Sequence, residues 1–155
     1  MGRVYAISFE GTAVTVAVDF FEVTPADDKP VRLLGLLLSQ SSDVGDAAEE
    51  ILRIKVIRGH TTSGSGGAAA TPAPINPADA AAGAAAETLN TTIASVGTTV
   101  DLLADAFNIR SGYQFWWTPE TAPIVSQANT TAVVRLMAAP ADSLTMSGTL
   151  YVEEI

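Results

Sequence analysis

The stretch LTMSGTLYVEEI, residues 144–155, sorts its side chains with a period of two: Met146, Gly148, Leu150 and Val152 against Thr145, Ser147, Thr149 and Tyr151. A strand lying on a core produces that alternation, and a helix cannot. RVYAISFEG near the start behaves the same way, with Val4, Ala6 and Ser8 opposite Tyr5, Ile7 and Phe9. EILRIKVIRG (50–59) sets Leu52, Ile54 and Val56 against Ile51, Arg53, Lys55 and Ile57. VRLLGLLLSQ (31–40) is almost wholly apolar, as expected of a central strand covered on both faces. A chain dominated by such runs has to build layered sheets.

Four more runs read as strands: TAVTVAVDFFEVTP (12–25), TTVDLLADAFN (98–108), YQFWWT (113–118) and TAVVRLMAA (131–139). Gly11 is expected to end the first strand, and TPADDKP, NIRSG, TPETAP and APADS supply turns. Pro-Ala-Asp opens at Pro25, Pro77 and Pro140, at unequal spacings, as a recurring turn opener and not a repeat unit. SSDVGDAAEE (41–50) reads as one helical turn or a hairpin loop. PADAAAGAAAET (77–88) has helical composition but no apolar stripe beyond alanine, so at best a short helix forms there. No β-α-β alternation is present. The 155 residues are therefore expected to form one all-β domain, an antiparallel β-sandwich of jelly-roll type or a partly closed barrel, with about eight strands.

Between the fourth and fifth of these strands runs a segment, 58–92, composed mainly of Gly, Ala, Ser, Thr and Pro. Strand-like flanks argue against a linker between domains. The expectation is one long Gly/Ala/Pro-rich loop or arm, with Pro72 and Pro74 keeping it extended, that orders against a neighbouring subunit or stays a surface loop.

Only 16% of residues are charged, against roughly 25% in ordinary domains, so much of the surface is expected to lie against other subunits or to expose Ala, Ser and Thr. The net charge of −9 and the scattered basic residues leave no nucleic-acid footprint. The absence of cysteine removes disulfides, thiolate nucleophiles and Cys-based zinc sites. No secretory leader or membrane span is expected, since LLGLLLS is too short to cross a bilayer.

Candidates for chemistry are few. His60 is the one histidine, at the mouth of the Gly-rich segment, with no recognisable base–nucleophile arrangement around it. TSGSGG lacks the lysine and frame of a phosphate loop. Asp43, Asp46, Glu49 and Glu50 are close in sequence, but without the ligand spacing of a calcium loop; they read as a solvated acidic loop, with a divalent-ion site or an intersubunit contact as alternatives. Asp27 and Asp28 read as turn residues. Asn90 and Asn129 head glycosylation sequons that are expected to be accidental. Trp116 and Trp117 are adjacent on a strand and so face opposite ways, one into the core and one toward solvent, a partner or a sugar. No catalytic, cofactor or metal site is expected. The expected partner contacts are Trp116, Trp117, His60, Pro72 and Pro74.

FEVTPADDKPVRLLGLLLSQSSDVGDAAEEILRIKVIRGHTTSGSGG and ADSLTMSGTLYVEEI resemble a group of small structural proteins of tailed bacteriophages and prophages. The resemblance implies a non-enzymatic virion component, made in the host cytoplasm. Its expected place is that of a capsid decoration (cement) protein, self-associating as a homotrimer and contacting the major capsid or other virion proteins. The alternative it leaves open is a jelly-roll binding module of a tail, collar or fibre that recognises a partner protein or host glycan. A hydrolase using Asp43, Asp46 and His60 is the third and weakest reading.

Overall fold

The computed structural model describes residues 2–42, 49–126 and 130–155. They form twelve strands and no helix: β1 (Arg3–Val14), β2 (Asp19–Thr24), β3 (Val31–Gln40), β4 (Ile51–His60), β5 (Ala68–Ala70), β6 (Ala73–Pro74), β7 (Ala85–Asn90), β8 (Val100–Asn108), β9 (Tyr113–Trp116), β10 (Ile124–Val125), β11 (Thr131–Leu136) and β12 (Leu144–Glu154). Two antiparallel sheets result. The first runs β10-β3-β12-β1-β6, with β9 also on β3; the second runs β5-β7-β2-β11-β4-β8. The eight strands expected from periodicity are β1–β4, β8, β9, β11 and β12. Gly11 does not end β1: at φ +57° it forms a bulge opposite β12, and the strand continues to Val14.

The sheets face each other across one core. Tyr5, Ile7, Leu36, Leu38, Met146 and Leu150 come from the first, and Phe21, Val23, Leu52, Ile54, Val56 and Val134 from the second. This is a sandwich-like arrangement, and the alternation read from β1, β4 and β12 chooses the buried face in each. A register shift sets Phe21 opposite Val134 and Asp19 opposite Arg135, leaving Phe20 as an extra residue. The bulge lets both consecutive phenylalanines enter the core, and Phe9 packs on them at 6.0 and 5.3 Å between centroids. It also turns Asp19 and Glu22 onto the outer face of the second sheet, beside Arg135, Val133 and Ile57.

That face is covered by the segment expected to be an arm. Residues 62–65 run antiparallel to 92–95, through Thr62–Ser95 and Ser65–Thr92 bridges, and β5 continues the ladder along β7. The chain then crosses to the first sheet, where Ala73 and Pro74 pair with β1 as β6. So 58–92 is not one long loop: it supplies three strands and part of β4, and closes the side of the sandwich between β1 and β7. The helix expected within 77–88 is absent too. Ala84 and Ala86 are buried, and Ala85–Asn90 is strand.

Small side chains bury little area, so this segment gains little from hydrophobic packing. Framework carboxylates hold its backbone instead. Asp19, fully buried, receives Arg135 Nε at 2.6 Å and the Ala94 amide at 2.7 Å, while Arg135 Nη2 donates to the Ala94 carbonyl at 2.8 Å. Glu22 accepts from the Gly64 amide (2.9 Å) and Asn90 Nδ2 (3.1 Å). Glu154 accepts from the Gly83 and Ala84 amides at 2.6 and 2.8 Å, and the Tyr5 hydroxyl donates to the Ala80 carbonyl at 2.9 Å. Under the strap, Ala94 touches Ile57 and Val133 in a small second core. Asp19→Ala leaves Arg135 buried and uncompensated, so it should destabilise the fold by about 3–5 kcal/mol in denaturant titrations and strip the Ala94 amide of hydrogen-exchange protection. Unchanged protection at Ala94 would show that the carboxylate does not hold the strap.

Candidate functional site

On the outer face of the first sheet the strand register arranges the outward side chains in rows. Trp116 lies opposite Gly35, Gly35 opposite Tyr151, and Tyr151 opposite Ala6. One row along, Gln114, Leu37, Thr149 and Ser8 align in the same way. Because Gly35 has no Cβ, the Trp116 indole lies down on the sheet over it. The ring meets Tyr151 at 5.3 Å between centroids and 23° between planes, yet stays 52% exposed. Beside this platform is a groove of about 620 Å³, lined among others by Ser8, Glu10, Ser39, Gln114, Ser147 and Thr149.

Trp117 faces the other way, half-buried against the core and edge-on to Phe115 at 5.2 Å. The two tryptophans thus divide as adjacent strand residues should. Two of the remaining expected contact residues are buried. His60 is buried, with Nδ1 3.4 Å from the Val96 carbonyl oxygen. Pro72 is buried too, whereas Pro74 is half-buried and pairs with Tyr5 at the edge of the first sheet.

The TSGSGG amides of Gly64 and Gly67 are taken by Glu22 and Asn90 of the same chain. Asn90 is itself buried and bonds both Glu22 and Glu87, which leaves its sequon no accessible amide. Asp43, Asp46 and Asn129 lie outside the described residues. Glu49 is exposed, and Glu50 accepts from the Ala141 amide at 2.7 Å. Among the described residues no three His, Asp or Glu side chains gather as a metal site.

A second exposed feature lies on the opposite side of the sandwich, along the strap over the second sheet. Ile93 and Val96 are exposed there, Val96 to 69%. Val96 and Gly97 have φ of 60° and 86°. Consecutive left-handed residues usually call for Asn-Gly, and a β-branched side chain in that conformation is rare.

No known protein family, curated protein or solved structure matches the chain. Geometry therefore carries the functional argument. Sequence reasoning found Trp116 but missed Gly35, Gln114 and Tyr151 as its surroundings. Their outward parity was readable from alternation, whereas the register that lines up β9, β3 and β12 was not. Val96 had one available signal, a β-branched residue before glycine in a Ser/Thr-rich turn.

Two predictions test this geometry. Gly35→Ala should lift the indole off the sheet, shift tryptophan emission to the red and lose about 1 kcal/mol of aromatic pairing. Unchanged emission would mean that Trp116 does not rest on Gly35. Burial, with the Asp105 hydrogen bond and charge behind it, pushes the Tyr113 phenol well above its ordinary value; burial and then Glu154 push Tyr5 in the same direction. Both favour the neutral phenol in the fold, so their contribution is complete below about pH 10 and is lost as pH rises past it. Alkaline unfolding followed by tyrosinate absorbance should become less steep in Tyr113→Phe, and an unaltered slope would rule Tyr113 out as a contributor.

Proposed function

We propose that this chain is a non-enzymatic structural protein of a tailed-phage virion, a head decoration or cement subunit. In this reading it is made in the host cytoplasm, associates as a homotrimer and joins the major capsid protein. The resemblance of its sequence phrases supports the assignment. So does its fold in the finer reading: β1-β12-β3-β9 in one sheet and β2-β11-β4-β8 in the other follow the eight-strand order of a jelly roll, with β5, β6 and β7 added at the edges by the strap. Groups that could do chemistry are committed to structure, Asp19, Glu22 and Glu154 to backbone amides and Arg135 to Asp19.

The observation that carries the reading is Val96. An exposed β-branched residue in a left-handed conformation costs the isolated chain stability, and none of its own packing offsets that cost. Like Ile93, also exposed on the strap, it offers apolar surface suited to burial against a neighbouring subunit. The low charge content fits extensive protein contact, and the acidity suits the outside of a DNA-filled head better than its lumen.

Light scattering across a wide concentration range tests this. The native chain should give a concentration-independent trimer. Val96→Asn supplies the usual Asn-Gly turn; it should hold or raise the stability of the fold, by up to about 1–2 kcal/mol of relieved strain, while weakening self-association. A stable monomer with no affinity for empty heads would remove the decoration reading.

A further inference from the structure

We propose that the outer face of β9-β3-β12-β1 is a binding site for chains of neutral pyranose sugars, with Trp116 as the stacking platform. Two properties of that face choose the ligand. The first is a flat aromatic ring lying in the plane of the sheet, one side held by Gly35 and Tyr151 and the other open to solvent. The C–H face of a pyranose packs on such a ring, whereas an apolar peptide side chain would call for a socket. The second is the polar lining of the neighbouring groove. No hydrogen bond among the described residues engages the side chains of Ser8, Ser39, Gln114 or Thr149, and Ser147 accepts from the Gly11 amide at 3.0 Å with its own O–H left to donate. Hydroxyl and amide groups that both donate and accept complement the hydroxyls of a sugar.

Charge narrows the class. Glu10 is the one ionisable side chain of the polar lining named above, and the protein carries −9 overall. A carboxylate accepts from two vicinal hydroxyls, but it repels uronates, sialates and sulfated chains. Neutral hexose or N-acetylhexosamine chains remain.

The dimensions suit more than one sugar unit. Gln114 stands two residues, about 7 Å, along β9 from Trp116, and four strands from β9 to β1 span roughly 14 Å. A chain can thus stack one ring on Trp116 and lay the next across Leu37 and Thr149 toward Ser8. A groove of about 620 Å³ is within the ordinary range for ligand sites. The site lies on the opposite side of the sandwich from the strap and does not rest on the virion reading: a monomer could bind sugar, and a trimer could fail to.

The test is isothermal titration calorimetry of the full chain with cello-, malto-, xylo- and chito-oligosaccharides and neutral galactans, and with polygalacturonate as an anionic control. At least one neutral oligosaccharide should bind and the anionic control should not. Trp116→Ala should weaken that binding at least a hundredfold, with a melting temperature lowered only by the lost Tyr151 pairing, and Gln114→Ala about tenfold with an unchanged melting temperature. Trp117→Phe, on the inner side, should bind as the native chain does. Three outcomes overturn the proposal: no heat with any neutral sugar, affinity unchanged in Trp116→Ala, or binding of the anionic polymer alone. Should Trp116→Ala fail to fold, Thr149→Val and Ser8→Val decide the matter, since both leave the platform intact and remove only sugar-facing hydroxyls.

Discussion

Four charged side chains on the framework decide whether a quarter of this chain has a structure. Asp19, Glu22, Glu154 and Arg135 reach backbone groups between Gly64 and Ala94, in a segment whose own side chains are mostly hydrogen, methyl or hydroxyl. Such a segment loses backbone entropy on ordering and has little apolar area to set against it. A buried charge, in turn, is tolerated only when its hydrogen-bonding capacity is met. Each side of the arrangement needs the other. The carboxylates lack enough side-chain partners, and the strap lacks a core, so amides are exchanged for charge stabilisation along its length.

The same logic explains why the sequence is misleading there. Runs such as GSGGAAATPAP have the composition of a flexible arm, because composition reports what a segment can do for itself. Asp19 and Glu22 lie some forty residues or more before the strap's amides, and Glu154 about seventy after Gly83. Nothing local connects them. By contrast, β1, β4 and β12 were legible because burial of alternate residues is written within each strand, whereas β3 reads as covered on both faces and yet leaves Leu34 and Leu37 half-buried. The Phe20 bulge belongs to neither class: two consecutive phenylalanines signal that alternation fails, but only pairing with β11 shows how. The candidate site was half legible for a similar reason. Adjacent tryptophans on a strand must diverge, so one had to be outside. What surrounds it depends on register between strands distant in sequence.

The sandwich ends up with two unlike outer faces. One is roofed by the strap, which presents Ile93 and Val96 in place of the charged residues beneath. The other is open, flat and hydroxylated around Trp116. The proposals are separable in experiment and compatible in space.

Strain at Val96 gives this arrangement its direction. A turn that needs two left-handed residues is easily made with Asn-Gly, and the chain has Val-Gly there instead. Were the turn only a connection, the cheaper residue would serve and the exposed methyl groups would add nothing. An apolar, β-branched side chain is useful at that point only when something covers it, because burial then returns roughly the 1–2 kcal/mol that the backbone conformation costs. On the proposed reading that cover is a neighbouring subunit, since Val96 lies 69% exposed on this chain.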